Sequence, residues 1–223
     1  MNKLQIVKCT RVALVSSGIL TGVFWAIAWM LGSFVGPEVV LKPLWVPSQA
    51  LHVAGAIFAL FAIIGLSGLL GRKLGRLGFA GLVLAGIGTM CFFADGVIAL
   101  SIFPALANAD DRLLTTSGAI NRPPVFLTFV AFAVSSMIGY LVLGTAILRA
   151  RALPATPVCL LMAGAVAANL PPGPVPPMVI ALGGIIWSAA MVWIGLILPN
   201  DKRPSTLFGQ LLRRQSVLTR RHC

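Results

Sequence analysis

The sequence predicts an all-α fold, a polytopic membrane helix bundle with six transmembrane helices, from three observations. Hydrophobic residues make up 58% of the 223 residues, charged residues make up only 10%, and the mean hydropathy is +0.98. A globular domain of this size cannot hide so much apolar surface from water, so a lipid environment is expected. The apolar residues also fall in six long runs without the strict alternation of membrane β-strands. Helices, and not a barrel, are therefore expected to cross the membrane.

Each run comes near the roughly 20 residues that an α-helix needs to cross a bilayer. The predicted spans cover residues 12–35, 49–70, 77–103, 124–148, 154–170 and 176–198, of which 154–170 is the shortest. The six-helix transmembrane domain is thus predicted over residues 1–199, and a basic cytoplasmic tail over residues 200–223.

The first run has an alternative interpretation. It follows basic residues and contains Ala26, Ile27 and Ala28, which resemble the cleavage region of a signal peptide. The apolar core of a signal peptide covers about 7 to 15 residues, whereas this run continues to Val35. An uncleaved first helix is therefore favoured.

The basic residues predict the orientation of the spans. With the N-terminus in the cytoplasm, 14 of the 17 Lys and Arg residues lie in inner segments, and only Lys42, Arg112 and Arg122 lie outside. This asymmetry follows the positive-inside rule and requires an even number of spans. It predicts a multi-pass protein of the cell membrane with both termini cytoplasmic. Omitting the fifth span would move the basic tail outside.

The inner basic segments predict contacts with the anionic lipid headgroups of the cytoplasmic face. The candidate contacts are Arg72, Lys73, Arg76, Arg213 and Arg214. Apolar residues between Leu207 and Leu212 recur at helical spacing, so the tail is either an interfacial amphipathic helix or a disordered segment. The net charge of +12 comes without a nucleic-acid-binding motif, so nucleic acid is not expected as a partner.

One carboxylate, Asp95, lies within the third predicted span. At about 1.5 Å per residue, it lies about 13 Å from the outer end of the span near Pro104. A charged Asp near a helix centre costs on the order of 3 kcal/mol on insertion scales, so Asp95 is expected to face the bundle. The residues at helical spacing from it are small, as at an interhelical seam: Gly81, Gly88, Cys91 and Ala99.

His52 is the candidate partner of Asp95, because it lies on the second span about 8 Å below the same outer boundary. Consecutive antiparallel helices usually pack together, so the two side chains are expected to meet directly or through water. With Ser135 and Ser136 of the fourth span, they form a candidate intramembrane polar site. The alternative is structural, with His52 interfacial and a protonated Asp95 bonded to a backbone carbonyl or to Thr89.

The sequence contains no constellation that predicts catalysis. The H-E-x-x-H motif of metalloproteases and the G-x-S-x-G motif of serine hydrolases do not occur, and Asp95 is the only aspartate in the predicted spans. A haem held by two histidines would need a partner for His52, and the other histidine lies in the tail. No catalytic residue, metal or cofactor is therefore predicted.

One acid, one histidine and two serines suit a small transporter or a transport-associated subunit better than bond cleavage. A structural or assembly subunit of a membrane complex is the alternative, and a membrane-embedded enzyme is the third hypothesis. Besides lipid, the expected partners are a second copy of the chain or another membrane subunit.

The stretch LHVAGAIFALFAIIGLSGLLGRKLGRLGFAGLVLAGIGT, with FPALA and LGTAILRARALP after it, resembles a group of small bacterial six-helix membrane proteins without known activity. The resemblance consists mainly of Gly, Leu and Ala patterning. It implies a cytoplasmic-membrane location and a six-helix bundle. It brings no catalytic or ligand-binding residue with it.

Overall fold

The computed structural model describes residues 3–32, 37–115, 118–170 and 175–197. Its helices are α1 (Lys3–Gly32), α2 (Pro37–Val40), α3 (Trp45–Ala109), α4 (Val125–Arg149), α5 (Ala155–Ala168) and α6 (Pro177–Ile197), with two short 3₁₀ turns, η1 (Asp111–Leu114) and η2 (Ala119–Asn121). The residues of these four ranges form no β-strand, so the predicted all-α class is confirmed. The basic tail over residues 200–223 lies outside the described residues.

Within the described part of the chain, four helical segments are long and apolar enough to cross a membrane. They are Trp45–Gly68, Lys73–Ala109, Val125–Arg149 and Met178–Ile197. Two further apolar segments, Val15–Leu31 and Ala155–Ala168, are shorter. At about 1.5 Å per residue, α5 is about 21 Å long, against about 30 Å of bilayer hydrocarbon. These apolar helices are compatible with a membrane protein.

The connection expected between the second and third spans is mostly helical. Residues 71–76 continue α3 except at Gly75, where φ is 62° and ψ is −159°. That backbone conformation is open to glycine and strained for other residues. Gly75 therefore divides α3 into a first arm (residues 45–74) and a second arm (residues 76–109). The arms pack together, because Gly96 of the second arm faces Val53 and His52 of the first.

The second arm also continues beyond Pro104, near which the third predicted span ended. Proline lacks one backbone donor, but the turn that follows it has other hydrogen bonds. The Asn108 Nδ2 donates to the carbonyl oxygen of Pro104 at 2.9 Å, and the backbone N–H of Asp110 donates to that of Leu106 at 2.9 Å. The helix can therefore end later, at Ala109.

The helices close into a ring. α1 packs against α3 and α6, α6 against α5, α5 against α4, and α4 against α3. We call one end of this ring the cap end, which holds α2, η1 and η2. There the indole Nε1 of Trp45 donates to the carbonyl oxygen of Ala99 at 2.9 Å, within a cluster that includes Phe103 and Leu114. We call the other end the basic end, which holds Gly75 and the α4–α5 turn.

The second arm of α3 and α4 contact each other closely at small residues. A Cβ added at Gly81 would meet the backbone of Leu143, and one added at Gly88 would meet the backbone of Ser136. A Cβ added at Gly139 would likewise meet the backbone of the second arm. We call these contacts the glycine seam. Gly81 and Gly88 were predicted to lie on an interhelical face, and the seam places that face against α4.

The glycine seam generates a test with a matched control two residues away. We expect Gly88→Ala to lower the free energy of unfolding by about 1–3 kcal/mol, because the new methyl group would overlap the Ser136 backbone. Gly86→Ala should instead be neutral or stabilise by up to about 1 kcal/mol, since nothing lies within 4 Å of a Cβ there. Thermal unfolding in detergent measures both, and equal effects would contradict the seam.

Candidate functional site

Six rings from α1, α3, α4 and α6 converge inside the helix ring. We call this group the aromatic cluster: Trp25, Trp29, His52, Phe92, Tyr140 and Trp187. The ring centroids of Trp25 and Trp187 lie 4.6 Å apart, and those of Tyr140 and Trp187 lie 4.8 Å apart in an edge-to-face arrangement. Trp25, Tyr140 and Trp187 are each 1% exposed. Aromatic side chains thus fill the centre of the ring at this level.

Glycines on neighbouring helices make room for the tryptophans. Gly55 lies directly against the indole of Trp25, and Gly184 lies against the indole of Trp29. The indole Nε1 of Trp25 also donates to the carbonyl oxygen of His52 at 3.1 Å. This bond attaches α1 to the first arm of α3 and positions the backbone that carries the imidazole.

The imidazole of His52 lies among aromatic rings. Its centroid is 5.7 Å from that of Phe92, 6.1 Å from that of Trp25 and 6.3 Å from that of Trp29. Its Nε2 is buried and has no hydrogen-bond partner among the described residues. A buried polar atom without a partner loses the hydrogen bonds that water would supply, so this nitrogen costs free energy where it lies.

Two other buried polar atoms share this feature. The Oγ of Ser136 on α4 and the Nε1 of Trp187 on α6 have no partner among the residues that the structure describes. Ser136 lies one helical turn before Tyr140, whose ring contacts Trp187. Three helices therefore each bring one unpaired polar atom to the aromatic cluster or within a turn of it.

At this level the hydroxyl groups of Thr89 and Tyr140 form a hydrogen bond that joins the second arm of α3 to α4. The Thr89 Oγ1 donates to the carbonyl oxygen of Ala85 at 2.8 Å, so the Tyr140 hydroxyl donates to Thr89 across 3.0 Å. Thr89 is one of the two partners that the sequence suggests for a protonated Asp95. The structure pairs it with Tyr140 instead.

Asp95 lies at about the same height in the bundle as His52. It is not on the side of the second arm that faces His52. Gly96, the next residue, faces His52, and successive helical residues are rotated by about 100°. Asp95 is seven residues after Gly88, so it shares the face that contacts α4. Its side chain is half-buried, and no hydrogen bond or ion pair joins it to His52 in the described ranges. The polar site that combines Asp95 and His52 stays a prediction.

The glycine seam does not extend to the level of Asp95. On α4, the side chains from 125 to 135 are exposed or half-buried, and Ser136 is the first buried one. Ser135 is among the half-buried residues, so the two candidate serines differ in their surroundings. Asp95 therefore lies beyond the glycine seam, at the level of His52 and at the cap-end edge of the aromatic cluster.

The candidate lipid contacts divide into described and undescribed residues. Lys73 and Arg76 are exposed on α3, on either side of Gly75. The side chain of Arg72, and all of Arg213 and Arg214, lie outside the described residues. No three His, Cys, Asp or Glu side chains of the described ranges come together as metal ligands.

Sequence reasoning missed the aromatic residues of the site. Tryptophans in membrane proteins are usually interpreted as interfacial anchors, and that rule assigns no role to Trp25 or Trp187 inside the bundle. One signal was present, because Tyr140 is the single tyrosine of the chain and follows Gly139 in the middle of a span. A tyrosine there needs a partner for its hydroxyl, and a small neighbour allows another helix to supply it.

Comparisons with known protein families, with curated proteins and with solved structures found no match for this chain.

The hydrogen bond between Tyr140 and Thr89 generates a prediction about the order of two effects. Tyr140→Phe removes a donor and leaves Thr89 bonded to Ala85, so it should cost about 0.6 kcal/mol of unfolding free energy. Thr89→Val leaves the buried Tyr140 hydroxyl without an acceptor and should cost more, about 1–3 kcal/mol. Detergent unfolding followed by tryptophan fluorescence measures both. The reverse order would contradict the assigned donor.

Proposed function

We propose that this chain is a small transporter or a transport-associated subunit of the cell membrane, with a polar site at Asp95 and His52. The observation that carries the proposal is a set of polar groups inside an apolar helix ring that have no partner among the described residues. They are the Nε2 of His52, the Oγ of Ser136, the Nε1 of Trp187 and the half-buried carboxyl group of Asp95. In lipid such groups are costly, and a role in binding a solute or a proton accounts for them.

The proposal includes six spans with both termini in the cytoplasm. The helix α1 has 30 residues and, at about 45 Å, is long enough to cross a bilayer. The shorter α5 would need a locally thinner bilayer, or flanking residues that complete the crossing. In this orientation the basic end faces the cytoplasm, which agrees with the positive-inside rule, and the cap end faces outward.

In this function Asp95 carries the proton. A carboxylate within the hydrocarbon costs on the order of 3 kcal/mol, so a change in the helix packing around Asp95 changes its preference for the protonated form. Asp95 lies at the cap-end edge of the aromatic cluster, and Phe92 and Tyr140 of the cluster lie closer to the basic end. A solute bound beside it would hydrogen-bond to His52 or the serines. Passage to the other side then requires the aromatic side chains to move.

A structural or assembly subunit is the second candidate. The observation that favours it is the tight filling of the ring, since Trp25, Tyr140 and Trp187 are each 1% exposed. In that function the aromatic cluster serves stability alone, and the outer apolar faces contact another subunit. Affinity purification in mild detergent, with identification of any protein that co-purifies in a fixed ratio, tests this candidate.

Transport is tested in liposomes that contain the purified chain and a trapped pH-sensitive dye. Amino acids, sugars, carboxylates and small amines are added outside in turn, and the internal pH is followed. We expect one class to drive proton movement, and Asp95→Asn to reduce its rate at least tenfold, since an amide cannot carry the proton. His52→Ala should weaken the dependence on solute concentration.

Asp111→Asn is the matched control, because Asp111 is an exposed acid in η1 and should not affect the rate. Proton movement that survives in Asp95→Asn would overturn the role of Asp95. A wild-type chain that moves no protons with any solute class would favour the assembly subunit instead.

A further inference from the structure

We infer that the basic end of the bundle holds a binding site for an anionic lipid whose headgroup carries two phosphate groups. The site would lie between the Gly75 break of α3 and the α4–α5 turn, and it would use Lys73, Arg76, Arg149 and Arg151. This inference is independent of transport and concerns only the end of the bundle opposite the cap end.

The glycine seam brings these two basic segments to the same end. The second arm of α3 and α4 run antiparallel, because Gly81 faces Leu143 while Gly88 faces Ser136. From the first of these contacts, Arg76 lies five residues away on α3, about 7.5 Å along the axis. Arg149 lies six residues from Leu143 on α4, about 9 Å in the same direction.

Apolar contacts connect the two turns. Leu74, which lies between Lys73 and Gly75, is 6% exposed and belongs to the main hydrophobic core. Ala150 and Ala152 flank Arg151 and pack against the same core. The backbone on both sides of the site is therefore held by buried neighbours, while the charged side chains remain outside.

Among the described residues, no acid lies at this end beside the four cations. Lys73, Arg76, Arg149 and Arg151 are all exposed. The acidic residues of the described ranges are in α2, in the cap-end half of α3, and in or directly before η1: Glu38, Asp95, Asp110 and Asp111. Concentrated positive charge of this kind between membrane helices suits phosphate headgroups, and a headgroup with two phosphates neutralises more of it than one with a single phosphate.

Arg151 provides a second observation. Its φ is 47°, in the left-handed region where glycine is the usual residue at a helix end. Its backbone N–H donates to the carbonyl oxygen of Leu148 at 3.1 Å, and that of Ala152 donates to Ile147 at 3.1 Å. Glycine would adopt this turn with less strain, so arginine lowers the stability at this position. It also places a positive charge at this point of the surface.

The test uses the full chain in detergent after lipid removal. Its thermal unfolding midpoint is measured with cardiolipin, with phosphatidylglycerol at equal phosphate, with phosphatidylcholine and with sodium pyrophosphate. We expect the largest rise with cardiolipin. Each cation removed, as in Arg149→Gln or Lys73→Gln, should weaken cardiolipin binding about fivefold. Lys42→Gln and Arg112→Gln remove exposed cations near the cap end and should leave cardiolipin binding unchanged.

Arg151→Gly separates a lipid site from a structural role. Without lipid, this variant should be at least as stable as the wild type, because glycine relieves the strain. With cardiolipin, its midpoint should rise less than that of the wild type. An unchanged rise would overturn the site. If phosphatidylglycerol raised the midpoint as much as cardiolipin, or if Lys42→Gln lost as much cardiolipin binding as Lys73→Gln, the effect would be general attraction between cations and anionic lipid. Either result would overturn the specific site. An equal rise with pyrophosphate would make it a soluble-phosphate site and would also overturn the lipid inference.

Discussion

Close backbone contact between the second arm of α3 and α4 sets the positions of most other groups in this protein. Lipid tails are as apolar as leucine, so helices in a bilayer gain little from burying apolar side chains against one another. Contact between backbones at Gly81, Gly88 and Gly139 supplies van der Waals attraction instead. Because this contact fixes the rotation of both helices, it directs Tyr140 toward the centre of the ring and Asp95 toward α4.

The aromatic cluster depends on that arrangement and completes it. Trp25 from α1 and Trp187 from α6 meet the rings that α3 and α4 present, and glycines on the neighbouring helices admit the indoles. In this packing the rings fit closely together, but not every polar atom on them has a hydrogen-bond partner among the described residues. The Nε2 of His52 and the Nε1 of Trp187 are consequently buried without a partner among the described residues, whereas Trp25 and Tyr140 form hydrogen bonds. Unpaired groups inside the ring are the physical basis of the proposed site.

Two residues of the candidate site could be chosen from the sequence because ionisable residues are rare in the apolar runs. Asp95 and His52 are the acid and the histidine that the apolar runs enclose, and helical rise places them at similar heights. Their direct contact was not predictable with the same ease, because one residue of rotation turns a side chain by about 100°. In the structure Gly96, the residue after Asp95, faces His52. The aromatic members were missed because a tryptophan in a span carries no sign of its depth or direction.

Composition, the length of the apolar runs and their lack of alternation were sufficient to predict the all-α class and the apolar helices. Both depend on how each segment meets lipid. Charge asymmetry was sufficient to group Lys73, Arg76, Arg149 and Arg151 on one predicted side. Neither kind of information contains the rotation of a helix about its axis or the order of helices in the ring. Those depend on backbone contacts between residues distant in the chain, such as Gly88 with Ser136, and they determine which polar groups share a site.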